Sequence, residues 1–308
     1  MVSDLFKTWA GELFNVGAVK TLSEQAVDRA ENYIASNARV LERHRFATLF
    51  RVGDPAMVVA ALRPYRNADG GFGQALEPDG RMPGSQPAAI AAAFGFLDEV
   101  GRLGGELVRG ACDHLSAICA EDGGLPFVHP NAEGYPRAPW WQIPQRYEGS
   151  LISTGSIARL LHKNEIDHPW LEPATDFCWR TIENLSAANT YETMGAIAFL
   201  DNVTDRDRAR TAAERLGKIV RAQAMGADSD ESYAPWDFVT NPDSLARGWF
   251  TDEELESSLD VLVDSQQQDG SWPVRWPAWT PVTAFEWGGW VTIDAMKILV
   301  NHGRRGSE

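Results

Sequence analysis

Apolar residues recur along this chain every three to four positions, with almost no strict two-residue alternation. That period predicts helices rather than strands. The spacing places them over roughly 22–49 (open to a break), 55–65, 86–100, 105–120, 150–163, 169–184, 190–202, 205–225, 251–268 and 283–301. Punctuation supports these bounds. Thr21-Leu22-Ser23-Glu24, Thr251-Asp252-Glu253-Glu254 and Thr283-Ala284-Phe285-Glu286 have the spacing of capping boxes, in which a hydroxyl and a carboxylate each satisfy a free backbone N–H. Pro55, Pro87 and Pro169 fall where first turns should begin, and Asp54 suits the N-cap before the first of them.

The helical segments alternate in character and are separated by similar glycine turns. Asp69-Gly70-Gly71-Phe72 is answered about 53 positions later by Asp122-Gly123-Gly124-Leu125. Gln268-Asp269-Gly270-Ser271-Trp272 follows about three further intervals of similar length on, with Gly226 near the second. A period near 50 residues with two helices in each unit implies stacked helical hairpins. Helices before a turn are charged, as in Asp252–Gln268. Those after a turn are small and apolar, as in Gln86–Phe94. This asymmetry suits an outer and an inner ring, so the expected fold is all-α: an α/α barrel (toroid) of five to six hairpins, forming a single domain over 1–308. An open superhelical solenoid is the alternative.

Gln267-Gln268-Asp269-Gly270-Ser271-Trp272 resembles the glutamine–tryptophan motif of squalene–hopene cyclases, and Asp69-Gly70-Gly71-Phe72 the same element in prenyltransferase β subunits. The chain also resembles actinobacterial single-domain prenyltransferase and squalene-oxidase repeat proteins. In such toroids the glutamine caps a helix end and the tryptophan stacks on it, which is a structural role. The resemblance implies a class II-like terpenoid cyclase or related isoprenoid-processing enzyme, in which a carboxylic acid protonates an alkene inside an aromatic-lined cavity. The chemical hallmarks of the family are absent: no D-x-D-D or D-D-x-x-D tetrad occurs, and Asp228-Ser229-Asp230-Glu231 is a polar, turn-like approximation to the first. Asp176 and Cys178 have the spacing of a zinc pair, but the only later histidine is His302, so no metal is expected. No other cofactor is expected, and magnesium only if a diphosphate substrate brings it.

The segment from Asp69 to Gln86 should lie at one mouth of the barrel. In an extended backbone Glu77 and Asp79 point to the same side, where one could act as acid and the other tune it; the alternative is that Asp79-Gly80 is simply a turn and Glu77 is solvated. Asp237, between Trp236 and Phe238, is a second candidate acid or a simple cap; Glu286, between Phe285 and Trp287, is a third or part of a capping box. The proton donor is expected to be Asp79 or Asp237 rather than the solvated Asp230. The twelve tryptophans supply candidate walls for a cation or an isoprenoid chain: Trp140, Trp141, Trp236, Trp276, Trp279, Trp287 and Trp290, with Phe72. Arg81, Arg137, Arg146 and Arg275 could meet a diphosphate.

Charge and composition narrow the partners. The 43 acidic against 28 basic residues give a net charge of -15, which repels nucleic acid and anionic lipid. No apolar run is long enough to span a bilayer, and Met1–Asp4 open no signal-like segment. With three cysteines expected to be free thiols, a cytoplasmic protein with a small-molecule isoprenoid substrate is the reading that follows. Two rivals remain open: a non-catalytic toroid binding isoprenoid or another apolar ligand, and a carbohydrate-active α/α toroid.

Overall fold

The computed structural model describes residues 19–187, 189–224 and 234–306. Gly226 and the Asp228–Glu231 segment lie outside the described residues. Among those described, regular structure is entirely helical: α1 (Glu24–Asn37), α2 (Val40–Phe50), α3 (Pro55–Leu62), α4 (Pro87–Glu99), α5 (Gly105–Ile118), α6 (Leu151–Lys163), α7 (Leu171–Asn184), α8 (Thr190–Leu200), α9 (Arg206–Ala224), α10 (Pro235–Phe238), α11 (Asp252–Asp264) and α12 (Pro281–Asn301). No helix is long and apolar enough to cross a membrane, among the described residues.

The capping logic mostly holds and is corrected in three places. Asp54 accepts from the Ala56 N–H, with Pro55 at the first turn, and Thr251 and Glu254 close a reciprocal box. At the first helix, however, Ser23 is the N-cap, accepting from Ala26 N at 3.1 Å. Helix α7 begins at Leu171, two residues after Pro169. The last helix starts at Pro281, capped reciprocally by Thr280 and Thr283. Glu286 is therefore inside α12 and caps nothing. Helix α11 stops at Asp264, short of the expected 268, because Gln267 to Ser271 are needed for the turn.

The helices pair in sequence and their contacts form a circuit. Each odd helix from α1 to α11 leads to an even one; even helices touch directly at α4–α6, α6–α8, α8–α10 and α12–α2, while α2 reaches α4 through α3 and α10 reaches α12 through α11. Helix α12 also packs on α1, so the first and last described helices meet. There Leu22 N donates to Arg304 O at 2.7 Å and Gly306 N to Leu22 O at 3.0 Å. The α6–α8 pair approaches closely because Gly155 and Gly195 face each other: a Cβ on Gly155 would lie 2.9 Å from the Gly195 carbonyl oxygen. Odd and even helices both contribute to the core, and α4 is buried along most of its length, at Ala89, Ile90, Ala92, Ala93, Phe94, Phe96 and Leu97.

The repeated turns match bond for bond. In each, the aspartate accepts from the N–H two residues on, at 2.9 Å: Asp69 from Gly71, Asp122 from Gly124, Asp269 from Ser271. The middle glycines Gly70, Gly123 and Gly270 have φ of 89°, 86° and 94°, a conformation that favours glycine. A Cβ on any of them would also strike the next odd helix: Gly110 in α5, Pro173 in α7, and Arg29 in α1. The final turn thus seats on the first helix as the earlier turns seat on their successors. Trp272 donates its indole N–H to Leu262 O of α11 at 2.7 Å. The glutamine that reaches the neighbouring hairpin is Gln266, not Gln267 or Gln268, donating to Ala26 O at 2.8 Å.

Candidate functional site

The loops that precede α4, α6 and α12 converge at the end of the fold where those helices begin. The first leaves α3 and reverses at Gln74 and Ala75, both left-handed with φ of 56° and 58°, an unusual conformation for non-glycine residues. Arg39 pins the reversal, donating to Leu76 O at 2.9 Å while it pairs with Glu42. The chain then runs beside the second loop: Ala138 N donates to Asp79 O at 2.7 Å and Arg81 N to Pro136 O at 3.0 Å. Helix α12 supplies the third wall. Judged by the matching contacts of Thr154 with Leu125 N and Thr292 with Trp272 N, α12 starts about two turns further out than α6. That extension carries Glu286 and Trp287.

Asp79 sits where the walls meet. It is 5% exposed and receives two indole N–H groups, from Trp140 at 2.7 Å and Trp287 at 2.9 Å, one on each oxygen. Glu77 folds back so that its Oε2 accepts from Asp79 N at 2.8 Å. The two carboxyls are neighbours, but through a turn closed by Gly80 N on Glu77 O at 3.4 Å rather than through the extended backbone expected. Burial raises the Asp79 pKa, opposed by the hydrogen bonds from Trp287 and Trp140 and by the charge of Arg81. Glu77 rises well above the ordinary carboxylate range, first through burial and then through the neighbouring charge of Asp79. Glu77 also lines a void of about 10 Å³ with Met82, Gln86 and Trp141, a volume at the threshold for one water.

Other expected site residues are placed differently. Glu286 forms a two-pronged ion pair with Arg81, at 2.5 and 3.1 Å, so neither is a free acid nor a free anion receptor. Asp237 is likewise gripped through both oxygens by Arg275, and one of them also accepts from Ala234 N at 2.9 Å. Arg275 in turn stacks over Trp236, 4.4 Å from the ring centre. The capping interaction at Ala234 fits the cap reading of Asp237, and the ion pair occupies the group that the acid reading required. Phe72 has no exposed surface and fills the core position matched by Leu125 and Trp272. Arg137 is spent on the carbonyls of Trp141 and Ala132.

The tryptophans divide into three groups. Trp140 and Trp287 hold Asp79. Trp276, Trp287 and Trp290 form a contiguous aromatic face, with centroids 4.9 and 5.1 Å apart, that continues to Phe96 at 4.7 Å. Trp141 is buried against Phe127, Met82 and Trp279 beneath the loops. Asp176 is exposed and Cys178 buried, so they occupy different faces of α7, and His302 bonds the Val239 carbonyl at 2.8 Å. Cys112 and Cys178 are buried and all three cysteines are free, with burial pushing the Cys112 thiol up to about 12.

Sequence reasoning missed an ionic cluster deeper in the fold. Arg45, 1% exposed, bonds Glu99 through two nitrogens, and Glu99 accepts from Lys297 at 2.8 Å. Arg45 also stacks on Phe96 at 3.8 Å. Its only trace in the sequence is the placing of single charges in otherwise apolar helical faces.

No family model matches the chain, and no curated protein matches it. Among solved structures, a protein from Actinoplanes known from its crystal structure superposes with a TM-score of 0.57 at 16% identity, covering 91% of this chain and 99% of that one. At that identity the likeness is one of fold.

Proposed function

We propose that this chain is a toroidal, class II-like isoprenoid-processing enzyme that uses Glu77 as its proton donor. The observation that carries the reading is the Glu77–Asp79 pair: two adjacent carboxyls, both with raised pKa, beside an aromatic face. The closed circuit of helix contacts supports the toroid, and the resemblance of the glycine turns to cyclase and prenyltransferase elements supports the substrate class.

The division of labour follows from the hydrogen bonds. Asp79 has both oxygens committed to indole N–H donors, which favour its anion. That negative charge disfavours a second one nearby, so Glu77 retains its proton. The proton would pass from Glu77 to one alkene carbon, leaving a tertiary cation at the other. The faces of Trp276, Trp287 and Trp290 would stabilise that cation, and loss of a proton from a neighbouring carbon would end the reaction. No metal takes part unless a diphosphate substrate brings magnesium. The substrate would lie in the open mouth, in a cytoplasmic protein.

The test is incubation with farnesyl and geranylgeranyl diphosphates and with neutral polyprenes, followed by mass spectrometry of hydrocarbon and alcohol products. Glu77→Gln should lower turnover by about 10²–10⁴-fold at unchanged melting temperature. Product formation undiminished in that variant would assign the acid elsewhere.

A second reading is favoured by one observation. The void beside Glu77 holds about 10 Å³, against roughly 300–1,000 Å³ for ordinary ligand pockets. On that reading the carboxyl–indole cluster fastens the loop before α6 to α12, and the toroid binds an apolar ligand on its rim without chemistry. Saturable binding of a polyprene with no product would favour it.

A further inference from the structure

The matching turns define matching seams, where the end of one hairpin's first helix meets the first helix of the next hairpin. Counted from the glycine contacts, Gly110, Pro173 and Arg29 occupy one position in three such seams. Three residues before each stand Leu107, Trp170 and Ala26, and four before each turn glycine stand Arg66, Cys119 and Gln266. Two seams are filled. In the α5–α7 seam Trp170 is 2% exposed and belongs to the core. In the α11–α1 seam the Gln266 side chain donates to Ala26 O at 2.8 Å and accepts from Arg29 at 2.6 Å.

The α3–α5 seam is open. Leu107 and the Arg66 side chain, whose guanidinium lies against Gly110 of α5, fill it only in part, and a cleft of about 610 Å³ remains, lined by Val59, Arg63, Arg66, Asn67, Glu106 and Leu107. Arg66 stands where Gln266 spans the third seam. Both Arg63 and Arg66 are exposed, and neither guanidinium makes a hydrogen bond or ion pair with any described residue. Most arginines of this acidic chain are engaged, as Arg39, Arg45, Arg51, Arg81, Arg275 and Arg304 illustrate. Arg63 and Arg66 are two that are not, and they share this cleft; Arg102, Arg109, Arg146 and Arg159 also make no side-chain hydrogen bond or ion pair with a described residue, but none of them lines it.

We propose that this seam is a binding site for a phosphomonoester carrying a compact apolar group. Two guanidinium forks match the tetrahedral oxyanion, which each can bind in bidentate fashion. Val59 and Leu107 offer an apolar floor for the organic part, and the volume lies within the range of small-molecule sites. Glu106 on the rim disfavours more highly charged anions. The site uses none of the residues of the Glu77–Asp79 pair and does not depend on their function.

The test is titration of the whole chain with phenyl phosphate and with inorganic phosphate at low ionic strength, by calorimetry and amide chemical shifts. Saturable phenyl phosphate binding is expected, tighter than inorganic phosphate and weakened by salt, with shifts at Arg66, Asn67 and Leu107. Replacing both arginines (Arg63→Gln with Arg66→Gln) should weaken it about tenfold or more, since charge-assisted hydrogen bonds are lost. Leu107→Trp should abolish it by filling the seam as Trp170 does, while both arginines remain. Glu77→Gln should bind as wild type does. Absence of saturable binding, or equal affinity in the double-glutamine variant with its helical circular dichroism intact, would overturn the proposal. Equal binding of inorganic phosphate would remove the apolar half of the site.

Discussion

At the scale of single residues, the decisive feature is the pair of indoles on Asp79, and it could not be read from the sequence. The donors lie 61 and 208 positions away from their acceptor, and a tryptophan pattern reports ring faces, not the direction of an N–H. The closeness of Glu77 and Asp79 could be guessed from their spacing, but not its cause, because the backbone there turns instead of running extended and Glu77 folds back on the Asp79 N–H. Asp237 and Glu286 misled for the same reason: an aromatic flank suggests a raised pKa, but the arginine that occupies each carboxylate sits 38 or 205 positions distant. Trp287→Phe removes one donor while keeping the ring. Because that donor holds the Asp79 pKa down against burial, the variant should titrate at higher pH than wild type. Carbon-13 NMR of the side-chain carboxyl reads this directly, and an unchanged or lower value would refute the clamp. A buried acceptor left without its donor also costs about 1–3 kcal/mol, so melting should fall modestly.

At the scale of elements, periodicity and punctuation placed the long helices to within a few residues, since each buries a continuous stripe. They failed for α10 and for the short turn of helix at Leu245–Trp249, which span too few residues to show a period. They also failed at the outer end of α12, where the capping-box pattern at Thr283 competed with the true one at Thr280. The Arg45–Glu99–Lys297 cluster ties α2, α4 and α12 together, and its pH dependence has a definite sign. Burial would raise the Glu99 pKa, but Arg45 and Lys297 outweigh it and hold it below the ordinary range. A depressed folded pKa contributes stability above the unfolded value near 4.3, lost as pH falls through the folded value. Glu99→Gln should therefore cost about 3 kcal/mol near pH 7 by leaving Arg45 buried and short of a partner. The difference from wild type should shrink below about pH 4, where the wild-type carboxyl is also being neutralised. Denaturant melts across pH give the difference; one that grows on acidification would contradict the assignment.

At the scale of the whole molecule, the repeat predicts stacked hairpins but not whether they close, because a ring and a solenoid share the same period. Closure depends on contacts between distant ends, such as Gln266 with Ala26, 240 positions apart. Gly270 gives a test of closure. Alanine there meets two obstacles, a φ of 94° and a collision of its Cβ with the backbone of Arg29 in α1. Gly101, with φ of 65° and open space around it, provides the control, because alanine there carries only the left-handed strain of about 1–2 kcal/mol. If the last turn bears on the first helix as a structural joint, Gly270→Ala must separate α11 from α1 or distort both. It should destabilise by clearly more than Gly101→Ala, and hydrogen exchange should quicken in α1 as well as beside the mutation. In an open solenoid the first helix would be a free end, indifferent to the last turn, and exchange would change only near residue 270. Equal melting of the two variants, with α1 protection unchanged, would mean that the joint carries no load and the circuit is one of proximity alone.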